Sequence, residues 1–395
     1  MTDDRNNLRI TVLGKWISNL GSTIFDYMNC VMLVSLDKKT SMLVAVYKAV
    51  ENVIKLLMTV VSGTFADNIS EKKRALIVTD FISGVICILL SFLINNKKVA
   101  NIIIGANGLL AIVEVINSPL YKTIVKEAIK KENLIKYNSL ATIGTEMVTV
   151  IAPLIGIWLM DNIGIRIGML ANGITFIMSA ILEMNIHILD NMSIQKINDG
   201  IIIGIKKGLL YIKDNNELVR LIIVVGFLNF FLAGFEVLIP YIDEVLLVHY
   251  ENMYAKILIA QALSAMFASL VSIKISNYFR GNIKRIQFVI IMIGITILLI
   301  ALSNCIRIPL IIIILFSMVA FFSTTYNIQY MSYIQENVDI QYVGRVFSVL
   351  KTFALLLVPI GTILFSYFLK LDLEEVCFVS GGGIIIISLI SIFIL

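Results

Sequence analysis

Three charged residues, Lys48, Glu51 and Lys55, lie within the second long apolar stretch of the sequence. Their spacing puts them on one face of a helix. Such charges are costly against lipid but are tolerated in a water-filled cavity, where they mark paths for ions or substrates. One alternative is a pair formed by Glu51 and Lys55 along the helix surface. Because that pair leaves a positive charge uncompensated, we expect a carboxylate from elsewhere or an anionic substrate to face this stripe.

Single titratable residues interrupt several more of the apolar stretches. Asp26, two thirds along the first, either exchanges protons in a cavity or is solvated near the membrane surface. Glu146 in the fifth stretch is the best second candidate for a proton site, and Glu114 is a carboxylate in the fourth. Lys351 in the eleventh needs a carboxylate partner or an anionic substrate, because an unpaired buried ammonium is costly.

The composition determines the fold class. The chain has 395 residues, of which 58% are hydrophobic and 15% charged, with a mean hydropathy of +0.93. Its apolar stretches of about 20 residues are long enough to cross the hydrocarbon core of a bilayer as helices. Strands of a membrane barrel would be shorter and of alternating polarity. The sequence therefore predicts an all-α membrane protein that crosses the bilayer many times.

Twelve transmembrane helices are predicted. They cover residues 10–34, 41–65, 75–95, 99–121, 137–160, 164–187, 218–241, 253–277, 286–304, 308–332, 341–369 and 375–395. Alternate connections hold about twenty of the 32 Lys and Arg residues, so the positive-inside rule places both termini in the cytoplasm. We expect the membrane to be the plasma membrane. Glu183 and Glu236 fall near the ends of their spans, where we expect them to be solvated.

The chain divides into two similar halves. Residues 188–217 form the one long connection, and their apolar residues recur at helical spacing beside lysines, which predicts an amphipathic helix on the cytoplasmic surface. This linker separates a six-helix bundle at 1–187 from another at 218–395. Residues 117–140 and 327–350 share Asn, Tyr, Glu and Ser at equivalent places, so we expect two pseudo-symmetric bundles with a substrate site near the bilayer midplane.

Several classes of protein are disfavoured. The four cysteines lie within predicted spans, which argues against disulfides or a zinc site. The two histidines are far apart, so neither a metal centre nor an acid–base enzyme is expected. No phosphate-binding loop of an ATP-driven pump occurs, and the basic residues lie in membrane-flanking loops, so we expect no nucleic acid partner. We predict no enzyme activity, cofactor or metal.

The connection after the second span resembles the signature loop of the major facilitator superfamily. Gly63 and Asp67 stand at the glycine and aspartate of that signature, and Lys72 at its terminal basic position. Asn68 to Glu71 depart from its usual basic and glycine residues. The resemblance implies a transporter of twelve helices in two bundles, which works by alternating access as a monomer in the lipid bilayer.

Within the superfamily the chain is most similar to bacterial macrolide-efflux-type exporters. The stretches that carry this likeness are residues 18–21, 117–119, 208–213 and 343–348. Pro153 and Pro359 correspond to prolines that kink spans five and eleven, although residues 152–157 match the glycine-rich pattern of drug antiporters only in part. The likeness implies proton-coupled export of a small amphipathic drug, antibiotic or metabolite, with sodium as the alternative ion. It leaves open export of a peptide, siderophore or lipid, solute uptake, and a receptor or immunity protein without transport.

Two charged contacts follow from this resemblance. Spans two and eleven are neighbours in folds of this family, so Glu51 is a natural partner for Lys351. At the cytoplasmic ends of the same spans, we expect the Asp67 carboxylate to accept N–H groups from the helix that opens with Gly344 and Arg345. Gly63 permits the close approach. A cytoplasmic gate formed by these residues would also use Arg74 to hold Asp67.

Overall fold

The protein is almost entirely helical in the computed structural model. The structure describes residues 2–36, 42–94, 98–188, 201–236, 238–239, 242, 253–279, 282–304, 308–368 and 373–393. None of these residues lies in a β-strand. The all-α prediction is therefore confirmed.

Twelve long helices and the shorter helix α7 make up most of the described chain. They are α1 Thr2–Leu36, α2 Met42–Asn68, α3 Lys72–Leu93, α4 Val99–Ala128, α5 Leu134–Asn162, α6 Ile165–Met184, α7 Ile201–Lys213, α8 Asn216–Glu236, α9 Met253–Lys274, α10 Ile283–Asn304, α11 Pro309–Asn337, α12 Val343–Phe368 and α13 Leu373–Phe393. Each predicted span coincides with one long helix. Nine of the described helices are long and apolar enough to cross a membrane, and α2 adds a tenth as a bent span.

The described residues pack into two compact units. Unit 1 contains residues 1–137, 147–208 and 338–349, and unit 2 contains residues 138–146, 209–337 and 350–395. The first turns of α12 thus group with unit 1, and part of the first half of α5 groups with unit 2. The domain boundaries at residues 187 and 218 stay a prediction.

A glycine pair joins the third and sixth long helices of each unit. In unit 1, a Cβ added to Gly84 of α3 would lie 2.9 Å from the carbonyl oxygen of Gly173 in α6. In unit 2, a Cβ added to Gly294 of α10 would lie 2.8 Å from the carbonyl oxygen of Gly381 in α13. Small residues let helix backbones approach closely where no hydrophobic force drives helices together in lipid. The same device at equivalent places is what two pseudo-symmetric bundles require.

Helix α2 bends by 57° between its segments Val46–Thr59 and Val61–Asn68. At the bend, the Thr59 hydroxyl donates a hydrogen bond to the Lys55 carbonyl oxygen one turn earlier, and the Ser62 hydroxyl donates to the Thr59 carbonyl at 2.8 Å. Hydroxyl bonds to backbone carbonyls of the preceding turn often bend helices. The bend separates the segment that carries Lys48, Glu51 and Lys55 from the segment that carries Asp67.

The helical part of the linker is α7. Its glycines face unit 1: a Cβ at Gly204 would overlap the Thr64 side chain, and one at Gly208 would lie 2.9 Å from the Arg345 Cβ atom. The exposed residues of the helix include Lys206, Lys207 and Lys213. Residues 189–200 of the predicted amphipathic stretch lie outside the described residues.

Candidate functional site

Five charged side chains from three helices of unit 1 form a continuous chain of ion pairs. The Lys48 Nζ atom lies 2.6 Å from Asp26 Oδ1 and 3.6 Å from Glu51 Oε2. The Lys55 Nζ atom lies 2.8 Å from Glu51 Oε1 and 2.8 Å from Glu114 Oε2. Asp26 comes from α1 and Glu114 from α4, while the remaining three residues form the stripe of α2. We call these five residues the ion-pair chain.

Local packing brings α2 and α4 close enough for these contacts. Gly108 of α4 would place a Cβ 3.3 Å from the side chains of Val50 and Ile54, so a larger residue would push α2 away. The Asn107 side chain donates a hydrogen bond of 3.1 Å to the Tyr47 carbonyl oxygen, next to Lys48. These contacts fix the rotation of α2, and its charged stripe therefore faces α1 and α4.

The ion-pair chain lines a cavity of about 320 Å³ in unit 1. Polar residues of α1 (Ser18, Asn19, Ser22 and Thr23), aromatic residues (Phe25, Tyr47 and Phe176) and the charged residues Lys15 and Asp80 share its wall. Side-chain exposure is 40% for Asp26 and 60% for Glu114, at the two ends of the ion-pair chain, but 19% for Glu51 at its centre. Both ends are thus accessible from open space, and both are carboxylates.

The ion-pair chain has a net negative charge. Three carboxylates face two ammonium groups, which leaves one negative charge in excess. One proton or one cationic group would neutralise it. The cavity can therefore bind either, and its aromatic wall can contact an apolar body attached to the cation.

The structure shows which carboxylates compensate the α2 stripe. They are Asp26 and Glu114, and the helix-surface pair of Glu51 with Lys55 is present as well. Glu146 is partly exposed in α5 and belongs to the segment 138–146 of unit 2. Lys351 also belongs to unit 2, and its pairing with Glu51 stays a prediction, as does the role of Glu146.

A second polar contact joins α2 to the first turn of α12. Asp67 Oδ1 accepts the Gly344 N–H at 3.0 Å, and Asp67 Oδ2 accepts the Arg345 N–H at 3.0 Å and lies 3.5 Å from Arg345 Nε. Asp67 is 6% exposed and Arg345 is 2% exposed. A Cβ at Gly63 would lie 2.5 Å from the Gly344 carbonyl oxygen and would also overlap the Ser348 hydroxyl. We call Gly63, Asp67, Gly344 and Arg345 the α2–α12 junction.

The structure corrects the expected role of Arg74. Its side chain is 80% exposed and pairs with Glu71 at 3.2 Å on the surface, so it does not hold Asp67. Besides Arg345, Lys72 is a buried cation near Asp67, and it pairs with Glu127 of α4 at 3.2 Å. Lys72 at the start of α3 therefore lies on the buried side of the first turn, whereas Arg74 lies on its exposed side.

The expectation that Glu183 is solvated is wrong. Glu183 is 2% exposed, beside Asp80 of α3 and Lys15 of α1, and neither of these residues was singled out from the sequence. The signal for Asp80 was available, since it lies well inside the third apolar stretch. Glu236 at the end of α8 is exposed, and its solvation stays a prediction. Pro359 lies inside α12 and Pro153 lies within the range of α5.

A family comparison decides what kind of protein this is. A sequence model of the Major Facilitator Superfamily matches residues 16–393. The chain belongs to the major facilitator superfamily. No curated protein sequence matches the chain significantly. Membership supports a multi-pass membrane transporter rather than an enzyme, with a lipid bilayer around it and a small molecule as substrate.

Solved structures of this superfamily share the fold at low sequence identity. A bacterial homologue of the iron transporter ferroportin in an outward-facing state is 13% identical over 98% of both chains, with a TM-score of 0.76. The human organic anion transporter MFSD10 is 10% identical over 98% of this chain and 99% of its own, with a TM-score of 0.74. The proton:xylose symporter XylE is 12% identical over 99% of this chain and 94% of its own, with a TM-score of 0.68. At these identities the likeness shows the twelve-helix fold alone.

Proposed function

We propose that this superfamily member exports a small amphipathic molecule in exchange for protons by alternating access. The observation that carries the proposal is the ion-pair chain with its excess negative charge on the wall of the cavity. A proton on a terminal carboxylate removes the charge that would hold a cationic substrate. Proton and substrate therefore compete for the same charge, which is what an exchange requires.

Asp26 is the proposed proton carrier of this exchange. It contacts Lys48 through one carboxylate oxygen at 2.6 Å and is 40% exposed, so solvent in the cavity can deliver a proton to it. Protonation would leave Lys48 with Glu51 as its ion-pair partner, at 3.6 Å. The charge of the whole chain then changes from one excess negative charge to neutral. Glu146 is proposed as a second carrier because it is a partly exposed carboxylate in α5.

The α2–α12 junction is proposed as the gate on the cytoplasmic side. Two hydrogen bonds to one buried carboxylate hold the helices together, and they must break for the helices to separate. With the gate on this side, the α2–α3 turn and both termini would face the cytoplasm. We propose that the protein acts as a monomer in the plasma membrane.

Transport by purified protein in liposomes tests the proposal. The probes are labelled erythromycin and ethidium, with an imposed pH gradient as the driving force. We expect accumulation that collapses with the gradient, at least a tenfold lower rate for Asp26→Asn and Glu146→Gln, and no change for the surface control Asp214→Asn, whose side chain is exposed.

Each competing function gives a different result in the same assay. Full pH-driven accumulation by both carboxylate variants would remove the assignment of the proton carriers. Accumulation driven by a sodium gradient alone would replace the proton by sodium. Transport in the same direction as the proton flux would make the protein an uptake system. Binding of the probes without movement would favour a receptor.

A further inference from the structure

A second group of charges lies in unit 1 outside the ion-pair chain. Asp80 of α3 is 4% exposed and Glu183 of α6 is 2% exposed. The two carboxylates interact electrostatically with each other and with Lys15 of α1. Lys15 makes no ion pair within 4.0 Å in the described part of the chain, and its Nζ atom lies 5.5 Å from the centre of the Tyr121 ring. Two buried acids thus share one ammonium group.

The two carboxylates differ in their hydrogen bonds. Asp80 Oδ1 accepts a hydrogen bond of 2.8 Å from the Asn117 side chain, and the Ser179 hydroxyl faces the same carboxylate. Glu183 Oε2 is fully buried and has no hydrogen-bond partner among the described residues. A buried oxygen without a hydrogen-bond partner costs much more in an ionised carboxylate than in a neutral carboxyl group. The orphaned oxygen of Glu183 therefore points to a bound proton.

We propose that Asp80 and Glu183 together bind one exchangeable proton, as a site separate from the ion-pair chain. With Lys15 charged, two ionised carboxylates would leave one excess negative charge in a closely packed bundle. One proton makes the group neutral. When the proton arrives, an O–H bond forms on a carboxylate oxygen, and when it leaves, it returns to water in the cavity. No further reactant is needed.

The position of the pair provides a route for the proton. Asp80 and Lys15 line the cavity, together with the ion-pair chain, whereas Glu183 does not. Asp80 is thus the accessible acid and Glu183 the buried one. One turn beyond Asp80, α3 and α6 cross closely at Gly84 and Gly173, so the helices that carry the two acids are held together.

The surrounding groups favour a proton over a metal cation. From α4, Tyr121 faces Glu183 and Asp80, and its hydroxyl donates to the Thr11 carbonyl oxygen of α1. Tyr137 of α5 contacts Tyr121. A sodium ion would require several oxygen ligands and would be repelled by the nearby ammonium of Lys15, whereas a proton requires a single oxygen. The pair therefore binds a proton rather than a metal cation, and a part for this proton in transport rests on the proposed exchange with protons.

Infrared titration of the purified protein without substrate tests the site itself. We expect a carbonyl stretch of a protonated carboxyl group that is present at neutral pH, shifts in heavy water and disappears at high pH. Glu183→Gln and Asp80→Asn should each abolish it completely, because either variant leaves a neutral pair of one carboxylate with Lys15. If the two acids bound protons independently, each single variant would instead keep part of the carbonyl band. Glu71→Gln is the matched control, because its side chain is 66% exposed at the surface.

A third variant, Lys15→Gln, tests the proposal even if the two carboxylate variants do not fold. In Lys15→Gln the ammonium is absent, so the proton should be released at a higher pH than in the unchanged protein. A band that keeps its full intensity in both carboxylate variants, or that does not respond to Lys15→Gln, would overturn the proposal. So would loss of the band on addition of sodium at constant pH. Because no transported probe is involved, these results stand whether or not the proposed export is observed.

Discussion

Replacement of Gly63 by alanine should open the α2–α12 junction. The added Cβ would lie 2.5 Å from the Gly344 carbonyl oxygen, and ordinary contact begins at 3.4 Å, so the helices must separate by about 0.9 Å (3.4 minus 2.5). The two hydrogen bonds to Asp67, each 3.0 Å long, would then stretch to about 3.9 Å, beyond the range of a hydrogen bond. The substitution therefore breaks the contact without removing any of its polar groups.

The free energy lost with the two hydrogen bonds exceeds the gain in helix propensity from alanine. Hydrogen bonds to a charged group contribute about 1.5–3 kcal/mol each, so the loss of two costs roughly 3–6 kcal/mol. Alanine in place of glycine stabilises a helix by about 1 kcal/mol. The net destabilisation of the closed junction is at least about 2 kcal/mol, or roughly a 30-fold shift towards the open state. Gly105→Ala is the matched control, because its added Cβ meets nothing within 4 Å and should be neutral or stabilising.

Distances between spin labels on α2 and before α12 would report this shift. Phe65 and Gln341 are exposed positions for the labels, in a protein whose four native cysteines are replaced. We expect one distance for the Gly105→Ala protein and a second, longer population for Gly63→Ala. An identical distribution of label distances in both proteins, with equal unfolding temperatures, would show that the close approach of Gly63 to Gly344 does not hold the junction closed.

Three further predictions test the charged groups. Lys55→Met removes the ammonium that contacts Glu51 and Glu114 at 2.8 Å each, so liposome transport should fall at least tenfold, with partial recovery in Lys55→Arg; unchanged transport would contradict a role for the ion-pair chain. Glu51→Lys and Lys351→Glu should each abolish transport and together restore part of it, and no recovery would remove their predicted pairing. Arg74→Ala should leave transport and the unfolding temperature unchanged, because an ion pair this exposed contributes at most about 1 kcal/mol.

The sequence predicts the helices well because each must cross a hydrocarbon core of fixed thickness. All twelve predicted spans coincide with helices, and they differ mainly at the ends. For example, α4 continues from the predicted end at residue 121 to Ala128, and the membrane sets no limit on a helix that continues past the apolar region. The stripe of Lys48, Glu51 and Lys55 was equally predictable, since it depends only on helical periodicity.

The partners of those charges were not predictable from one sequence. The stripe required a carboxylate from another helix, but Asp26 and Glu114 were two of several candidates, and the rotation of α2 against α4 decides between them. Glu183 shows the same difficulty. Its place near the end of a span suggested solvation, yet its face of the last turn of α6 packs inside unit 1 and leaves Glu183 only 2% exposed, while Met184 beside it is 56% exposed. Burial near a helix end depends on the lengths of its neighbours.

Helix α2 connects the two features on which the proposed transport depends. Its first segment carries the stripe of the ion-pair chain, and its second segment carries Gly63 and Asp67 of the α2–α12 junction. The Lys55 carbonyl oxygen accepts the Thr59 hydroxyl at the bend between the segments, while the Lys55 ammonium holds Glu51. A proton or substrate that alters the ion pairs of Lys55 therefore acts on the same turn of helix that sets the bend. If the 57° bend keeps its angle, a rotation of the first segment would displace Asp67 relative to the first turn of α12, which it contacts through two hydrogen bonds of 3.0 Å.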